Sequence, residues 1–364
     1  MISGEASGDL HGSNLIKEIN KLDQNSDIRG WGGEKMEAEG AKVVKHYKDL
    51  AFMGFAEVIK NLPTIFKNLS FCKKDILNYQ PDAIILIDYP GFNLRIAKWA
   101  KEKGFKIFYY ISPQIWAWKE SRVHDIKKYV DKMLVILPFE QEFYSKWDFK
   151  VDYIGHPLVE VVNDYITTSI DDNDSKNLIA LLPGSRKQEL EKKLPIMLEV
   201  TKAFPEHQFV VAKAPGIEDE FYDRFISSSK NVTTVSDKTY WLLKHSVAAL
   251  VTSGTATLET ALFGVPQVVC YKGSNLSYQI AKRVIKVKFI SLVNLIMDRE
   301  VVKELIQDDL TVNNITKELK LLLYDQDKIR NIKADYDALR SKLQKGGNAS
   351  ANGAAIIVNS LMTS

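Results

Sequence analysis

Thr252-Ser-Gly-Thr-Ala-Thr-Leu-Glu259 follows the apolar run Val247–Val251 and opens a segment, Ala256 to Phe263, that reads as a helix stopped by Gly264-Val-Pro266. Small residues at such a turn (Ser253, Gly254, Thr255) leave backbone N–H groups free to hold an anion, and the helix dipole favours negative charge there. Glu259 lies one turn further in. A capping box would need Ser or Thr three residues earlier, and that position is Ala256. A carboxylate beside a phosphate site suits a pair of ribose hydroxyls, which makes the stretch a nucleotide pocket. The alternative is a helix N-terminus with a surface Glu.

A second turn of this kind, Leu182-Pro-Gly-Ser-Arg186, also follows a strand-like run. Arg186 presents a planar fork of donors that matches a phosphate, and Ser185 with the backbone at Gly184 adds more. Alternatively Arg186 pairs with Glu189 or Glu191 on a solvated face. In the first half, Ala83–Ile87 delivers Asp88 to the carboxyl end of a strand before Tyr89-Pro-Gly91. A partly buried carboxylate there can act as a general base, or simply accept hydrogen bonds from the following loop. Gly4-Glu-Ala-Ser-Gly-Asp9 makes a further close-approach turn. Asp9 reads as an N-cap, which leaves Glu5 and Ser7 for chemistry.

Tyr109-Tyr-Ile-Ser-Pro-Gln-Ile-Trp-Ala-Trp118 is dense in aromatics, and Trp116 and Trp118 suit sugar stacking or an acyl groove as well as packing between domains. His156, in Gly155-His156-Pro157, is a ligand or a structural histidine. Phe52, Phe55, Ile59, Leu62, Phe66 and Leu69 recur at spacings of three and four, with Val58 beside them and Lys60, Lys67, Lys73 and Lys74 within or just beyond. That pattern is a membrane-resting or acyl-accepting surface or a core face, and Pro63 would kink or divide a helix there. Asp172-Asn-Asp174 lies in a polar stretch and lacks the glycine of a calcium loop. No zinc spacing, Walker loop or dinucleotide glycine fingerprint is present.

These motifs need parallel sheets to position them. Strand-like runs begin at Ala83, Lys106, Lys132 and Val151, and again at Leu178, Gln208, Val247 and Gln267. Helical stretches such as Asn93–Lys103 intervene, which predicts an α/β chain of two open parallel-sheet domains presenting ligands at the carboxyl ends of their strands. The polar stretch Thr167–Lys176 marks the link. The expected division is 1–165, 166–345 and a last helix within 346–364. A length of 364 residues with 45% apolar content supports two cores. A net charge of +3 argues against a nucleic-acid protein defined by bulk charge. Two cysteines without a motif fit buried thiols in a reducing cytoplasm, and neither a signal peptide nor a spanning segment is visible.

In this order the motifs resemble the lipid-A-disaccharide synthase family of GT-B glycosyltransferases. The matching pieces are Gly4–Asp9, Gly32-Gly33, Met53-Gly54, Asp88–Asn93, Ser112-Pro113 with Trp116-Ala-Trp118, Leu137-Pro-Phe-Glu140, Gly155-His156-Pro157, Leu182–Arg186, Ser253–Glu259 and Ser291–Leu295. The resemblance implies two Rossmann-like domains facing a cleft. It also implies an inverting transfer from UDP-2,3-diacylglucosamine to 2,3-diacylglucosamine 1-phosphate, forming a β-1,6 link and releasing UDP. Asp88 and Glu5 would be catalytic. Gly184, Ser185, Arg186, Ser253, Gly254, Thr255 and Glu259 would hold the nucleotide, while Ser7, Ser112, Gln114, Trp116, His156 and Asn294 would contact substrate. Phe52, Phe55, Val58, Ile59, Leu62 and Phe66 would face lipid.

No cofactor or metal is expected. The expected partners are the two lipids and a membrane surface at the inner face of the bacterial inner membrane, with a homodimer left open and no nucleic acid. Two departures stand out. Only Met1-Ile-Ser3 precede the first turn, so a central strand is expected to be truncated, and Gly91 stands where the family often carries Asp. The rival readings are another GT-B enzyme using a UDP-sugar (a polyprenyl-acceptor transferase or an epimerase) and a nucleotide-sugar binding protein without turnover.

Overall fold

The computed structural model describes residues 1–50, 62–169, 177–227, 229–274, 278 and 287–363. The chain forms two compact units, Met1–Pro157 with Leu343–Ser364 and Leu158–Lys342. The division falls at Pro157 because the helix Pro157–Thr168 belongs to the second unit. There Tyr165 meets Tyr240 and Phe263 edge-on, and Asn163 accepts from Arg340.

The first unit contains β1 (Arg29–Gly32), β2 (Lys42–His46), β3 (Ala83–Ile87), β4 (Lys106–Tyr110), β5 (Lys132–Val135) and β6 (Asp152–Tyr153), all paired in parallel. Ile2 bridges Trp31 on one side and Leu86 on the other. Its N–H donates to the Ile85 carbonyl at 2.8 Å and its carbonyl accepts from Ile87 N–H at 2.9 Å. Met1–Ser3 thus occupy the central position whose strand the sequence suggested was missing. The order becomes β2-β1-(Ile2)-β3-β4-β5-β6, and the chain reverses its direction of winding between Ile2 and β3. A cavity of about 900 Å³ opens at the amino ends of these strands, lined by Met1, Arg29, Trp31, Cys72, Ile84 and Ile357 among others. It lies away from Asp88, so its size does not mark the reactive end.

Alternate residues of β3–β5 feed two cores. Leu86, Tyr109 and Val135 join one, while Ile87, Phe108, Tyr110 and Leu134 join the other. Burial on both faces is what near-continuous apolar strands require. The helix Ala349–Met362 covers the second core against Ala6–Leu22, through Ala354, Ile357 and Val358. Gly353 lies so close to the Tyr110 ring that a Cβ would stand 3.0 Å from it.

Among the described residues the second unit holds one parallel sheet, in the order β12-β11-β10-β7-β8-β9. Its strands are β7 (Leu178–Leu182), β8 (Gln208–Lys213), β9 (Val232–Ser236), β10 (Ser246–Thr252), β11 (Gln267–Tyr271) and β12 (Lys303–Ile306). This is the doubly wound Rossmann order, and its switch point lies between β7 and β10.

Candidate active site

Open parallel sheets bind ligands at the carboxyl ends of strands flanking the switch point, where the two outgoing loops part. In the second unit those loops are Pro183–Arg186 after β7 and Ser253–Gly254 after β10, the two turns singled out by composition. In the first unit they are Gly4-Glu5 after Ile2 and Asp88-Tyr89 after β3.

Asp88 and Tyr89 both adopt left-handed φ, +44° and +48°, a conformation that is costly for residues carrying a Cβ. The surroundings hold it. The Asp88 carbonyl accepts from Tyr109 Oη at 2.6 Å and Asn93 Nδ2 at 2.8 Å, and the Asp88 N–H donates to Tyr110. Tyr89 rests against Gly4, where any Cβ would overlap its ring. Burial, and then the negative charge of Glu5, push the Asp88 carboxyl up to about 6, while the Tyr89 N–H opposes that rise. A carboxylate so placed is a stronger base than an ordinary aspartate yet still ionises near neutrality. Glu5 is the N-cap of the helix Ala6–Leu22 but makes no side-chain cap bond. Glu5→Gln is expected to lower the Asp88 pKa, since it removes a neighbouring negative charge. The acid limb of a kcat/KM–pH profile should then move to lower pH; an unmoved limb would uncouple the two groups.

Asp9 does not cap its own helix. Its carboxylate accepts from Gly33 N–H (2.7 Å), Lys35 N–H (3.1 Å) and Met36 N–H (3.1 Å), and so caps the short helix Glu34–Ala38. Ser7 and Gln114 are exposed, whereas three other expected substrate contacts are committed elsewhere. Trp116 is 7% exposed; its indole N–H donates to Glu140 at 3.2 Å and its ring meets Phe139 edge-on. Trp116 is therefore packed within the first unit, and the exposed neighbour is Trp118, with Arg122 over its ring. Ser112 is buried against Tyr144 Oη at 2.8 Å. Asn294 is 0% exposed: its amide nitrogen donates to the Val302 carbonyl and Glu304, and its oxygen accepts from the N–H groups of Val301 and Val302. No lone pair or proton of that amide is left for a ligand. Asn294→Ala should cost about 3 kcal/mol of stability, read from urea unfolding, because it strands buried N–H groups. His156 is buried too, and burial followed by His11 lowers its pKa to about 3, so the ring is neutral.

Sequence reading assigned no role to Glu140, whose buried carboxylate accepts from Trp116 and from the N–H groups of Ile136 and Leu137. Desolvation raises it to about 7 against those bonds. Its position three residues beyond Leu137 was the available signal, since a carboxylate there can turn back onto its own loop.

In the second unit Gly184 (φ +121°) and Gly254 (φ +137°) supply backbone that only glycine adopts readily. A Cβ at Gly184 would also overlap the Glu189 carboxylate. Ser185, Arg186, Gly254 and Thr255 are exposed around this edge, with the Arg186 side chain 60% accessible. The Ser253 hydroxyl donates to the Ile290 carbonyl at 2.8 Å, which fixes the turn, and the helix Thr255–Leu262 then presents its N-terminus. Arg186 Nη1 stands 3.7 Å from Glu189 Oε1, so of its two sequence partners it meets Glu189. Glu259 accepts from Tyr240 Oη at 3.0 Å, and burial raises its pKa. It is a held carboxylate rather than a loose surface one.

The expected lipid-facing residues Phe52, Phe55, Val58 and Ile59 lie outside the described residues. Pro63 sits in the first turn of Leu62–Tyr79, where a missing N–H costs nothing, and the part of the stripe before Leu62 lies outside the described residues. That helix buries Leu69, Cys72 and Ile76 in the core and leaves Phe66 62% exposed.

A family model described as Lipid-A-disaccharide synthetase matches residues 1–358. A lipid-A-disaccharide synthase of Geobacter metallireducens is 39% identical over 357 residues, covering 95% of this chain and 93% of the relative. The Coxiella burnetii enzyme of the same name is 36% identical, covering 99% and 97%. The chain belongs to the lipid-A-disaccharide synthase family. It is accordingly a hexosyltransferase of lipid A biosynthesis that joins UDP-2,3-diacylglucosamine to 2,3-diacylglucosamine 1-phosphate through a β-1,6 link with inversion, releasing UDP.

Solved structures show the same fold at low identity. A UDP-GlcNAc 2-epimerase from Neisseria meningitidis aligns at TM-score 0.67 and 14% identity, covering 100% of this chain and 99% of that one. The calicheamicin glycosyltransferase CalG4 aligns at 0.61 and 16%, covering 100% and 96%. These are GT-B neighbours in fold alone, so the epimerase likeness does not reopen that rival.

Proposed function

We propose that Asp88 is the general base of the transfer and that the Pro183–Arg186 loop, the helix N-terminus at Ser253–Thr255 and Glu259 hold the UDP portion of the donor. The observation that carries this reading is the coincidence, within each unit, of these groups with the sheet's switch point. Asp88 takes the proton from the acceptor's 6-hydroxyl. The oxygen attacks the anomeric carbon from the face opposite UDP, and the carbon–oxygen bond to the diphosphate breaks with its electron pair leaving on UDP. Glu5 keeps Asp88 basic. Arg186 and the aimed N–H groups stabilise charge on the departing oxygens, and Glu259 binds the ribose diol.

With those donors in place no metal is required, so excess chelator should leave the rate of UDP release unchanged. A rate restored only by an added divalent ion would refute that assignment. The acid limb of kcat/KM should follow ionisation of Asp88. Activity is half-maximal near pH 6, reaches its plateau about one unit above, and falls about tenfold per unit well below it. A profile flat to pH 4.5 would remove Asp88 from the role.

The enzyme works, in this reading, as a peripheral protein on the cytoplasmic face of the inner membrane. Support comes from exposed Phe66 and Phe71 on the helix Leu62–Tyr79, beside exposed Lys67 and Lys74. No helix among the described residues is long and apolar enough to cross a membrane. Phe66→Ser should reduce co-sedimentation with anionic phospholipid vesicles, and undiminished binding would exclude that surface.

A further inference from the structure

Lys193 is a charged residue that the mechanism so far leaves unused. It lies on the helix Lys187–Thr201, and its side chain is only 2% exposed. Its ammonium donates to the Thr252 hydroxyl, at the last residue of β10 before the Ser253–Thr255 turn. It also stands 3.7 Å from Glu189 Oε2, while the other oxygen of that carboxylate faces Arg186. Buried Cys270, near the end of β11, is a further neighbour, and its thiol is pushed up to about 12 by burial and therefore neutral. Arg186, Glu189 and Lys193 thus form a row of plus, minus and plus along one face of a helix start, at spacings of three and four. The row ends under the turn that presents the helix N-terminus.

The fold alone does not require a cation there. An apolar side chain of similar length would fill the space without the cost of desolvating an ammonium, and buried ion pairs are seldom net stabilising. Burial does pull the Lys193 pKa down, with Glu189 opposing. A buried positive charge becomes favourable when an anion arrives close by, because the low-dielectric surroundings screen the attraction weakly. Glu189 lies between the two cations, and Arg186 is drawn toward it. Lys193 competes for the same carboxylate from the buried side, so Arg186 can leave Glu189 for a phosphate without stranding a lone negative charge.

We propose that Lys193 is a positioning residue for the diphosphate, holding Glu189 and Thr252 from behind so that Arg186 and the Ser253–Thr255 turn are released toward the phosphates. This rests on the nucleotide assignment above. It predicts a loss confined to the phosphate-bearing part of the ligand.

The test is calorimetric titration of the full chain with UDP, with uridine binding followed by saturation-transfer NMR and thermal melts run alongside. Lys193→Met should weaken UDP binding at least about tenfold while uridine binding stays within about twofold. Lys193→Arg, which keeps charge and donors, should recover UDP binding to within about threefold of the wild type. Should Lys193→Met not fold, Lys193→Gln keeps a donor without the charge and is held to the same criterion. Unchanged UDP affinity, or a parallel loss for UDP and uridine with a lowered melting temperature, would reduce Lys193 to a structural brace. A wild-type chain that binds no UDP would instead sink the nucleotide assignment.

Discussion

Asp88→Asn is expected to lower kcat by about 10²–10⁴-fold, the usual contribution of a positioned base, while UDP binding survives unchanged. Asparagine is nearly isosteric, and the left-handed backbone that presents it is held through the Asp88 carbonyl and N–H rather than the side chain. Geometry is therefore retained and only proton acceptance is lost. A second consequence separates this from generic damage. The folded pKa of Asp88, about 6, lies above its ordinary value of 3.8, so ionisation works against the fold. That penalty grows as pH rises from about 4 through 6 and is fully present above. The Asn variant should therefore melt higher than the wild type at pH 7.5, and the difference should vanish near pH 3.5. A dead variant that is also less stable at pH 7.5 would point to structural loss, and one with undiminished turnover would end the base assignment.

The chemistry-bearing turns were legible because they break local rules. Gly184 and Gly254 mark backbone that other residues adopt at a cost, and a strand delivering Asp88 into Tyr-Pro-Gly leaves the carboxylate at the sheet's edge. Seven strands could be read from near-continuous apolar runs, since sheets covered on both faces leave no room for polar alternation, and an eighth, β6, from the short run Val151–Ile154 at the sheet edge. Four could not. β1 is Arg-Gly-Trp-Gly, and β9 is Val-Thr-Thr-Val-Ser at the edge of its sheet, with only its first residue buried.

Side-chain direction was the part the sequence could not provide. Asn294, Ser112 and Trp116 sit in motifs as suggestive as those of Asp88 and Arg186, yet each spends its polar atoms inside the protein. A motif fixes which residues are required, and a carboxamide that ties a helix to the start of the next strand is as indispensable as one that grips a ligand. Only the partners distinguish them. Lys193 is the converse. Nothing in its local sequence sets it apart from Lys187 and Lys192, because its distinction lies in a contact with Thr252, 59 residues away.

Arg186→Ala should weaken UDP binding by about 2–3 kcal/mol, roughly thirty- to more than a hundredfold, the range for a lost hydrogen bond to a charged group. Its guanidinium is 60% exposed, and its ion pair to Glu189 is long at 3.7 Å. Little existing structure is broken by removing it, so the melting temperature should stay within a degree or two. Arg186→Lys should recover only part of the affinity, because an ammonium cannot match two phosphate oxygens with a planar fork. Turnover at saturating donor should fall as well, since negative charge on the diphosphate oxygens is greater in the transition state than in the bound ground state. A rise in KM with kcat intact would mean that the guanidinium grips the donor equally in both states. Unaltered UDP affinity would be more damaging, because it would leave the Ser253–Thr255 turn as the whole phosphate site and remove the reason for a second glycine turn on the other side of the switch point.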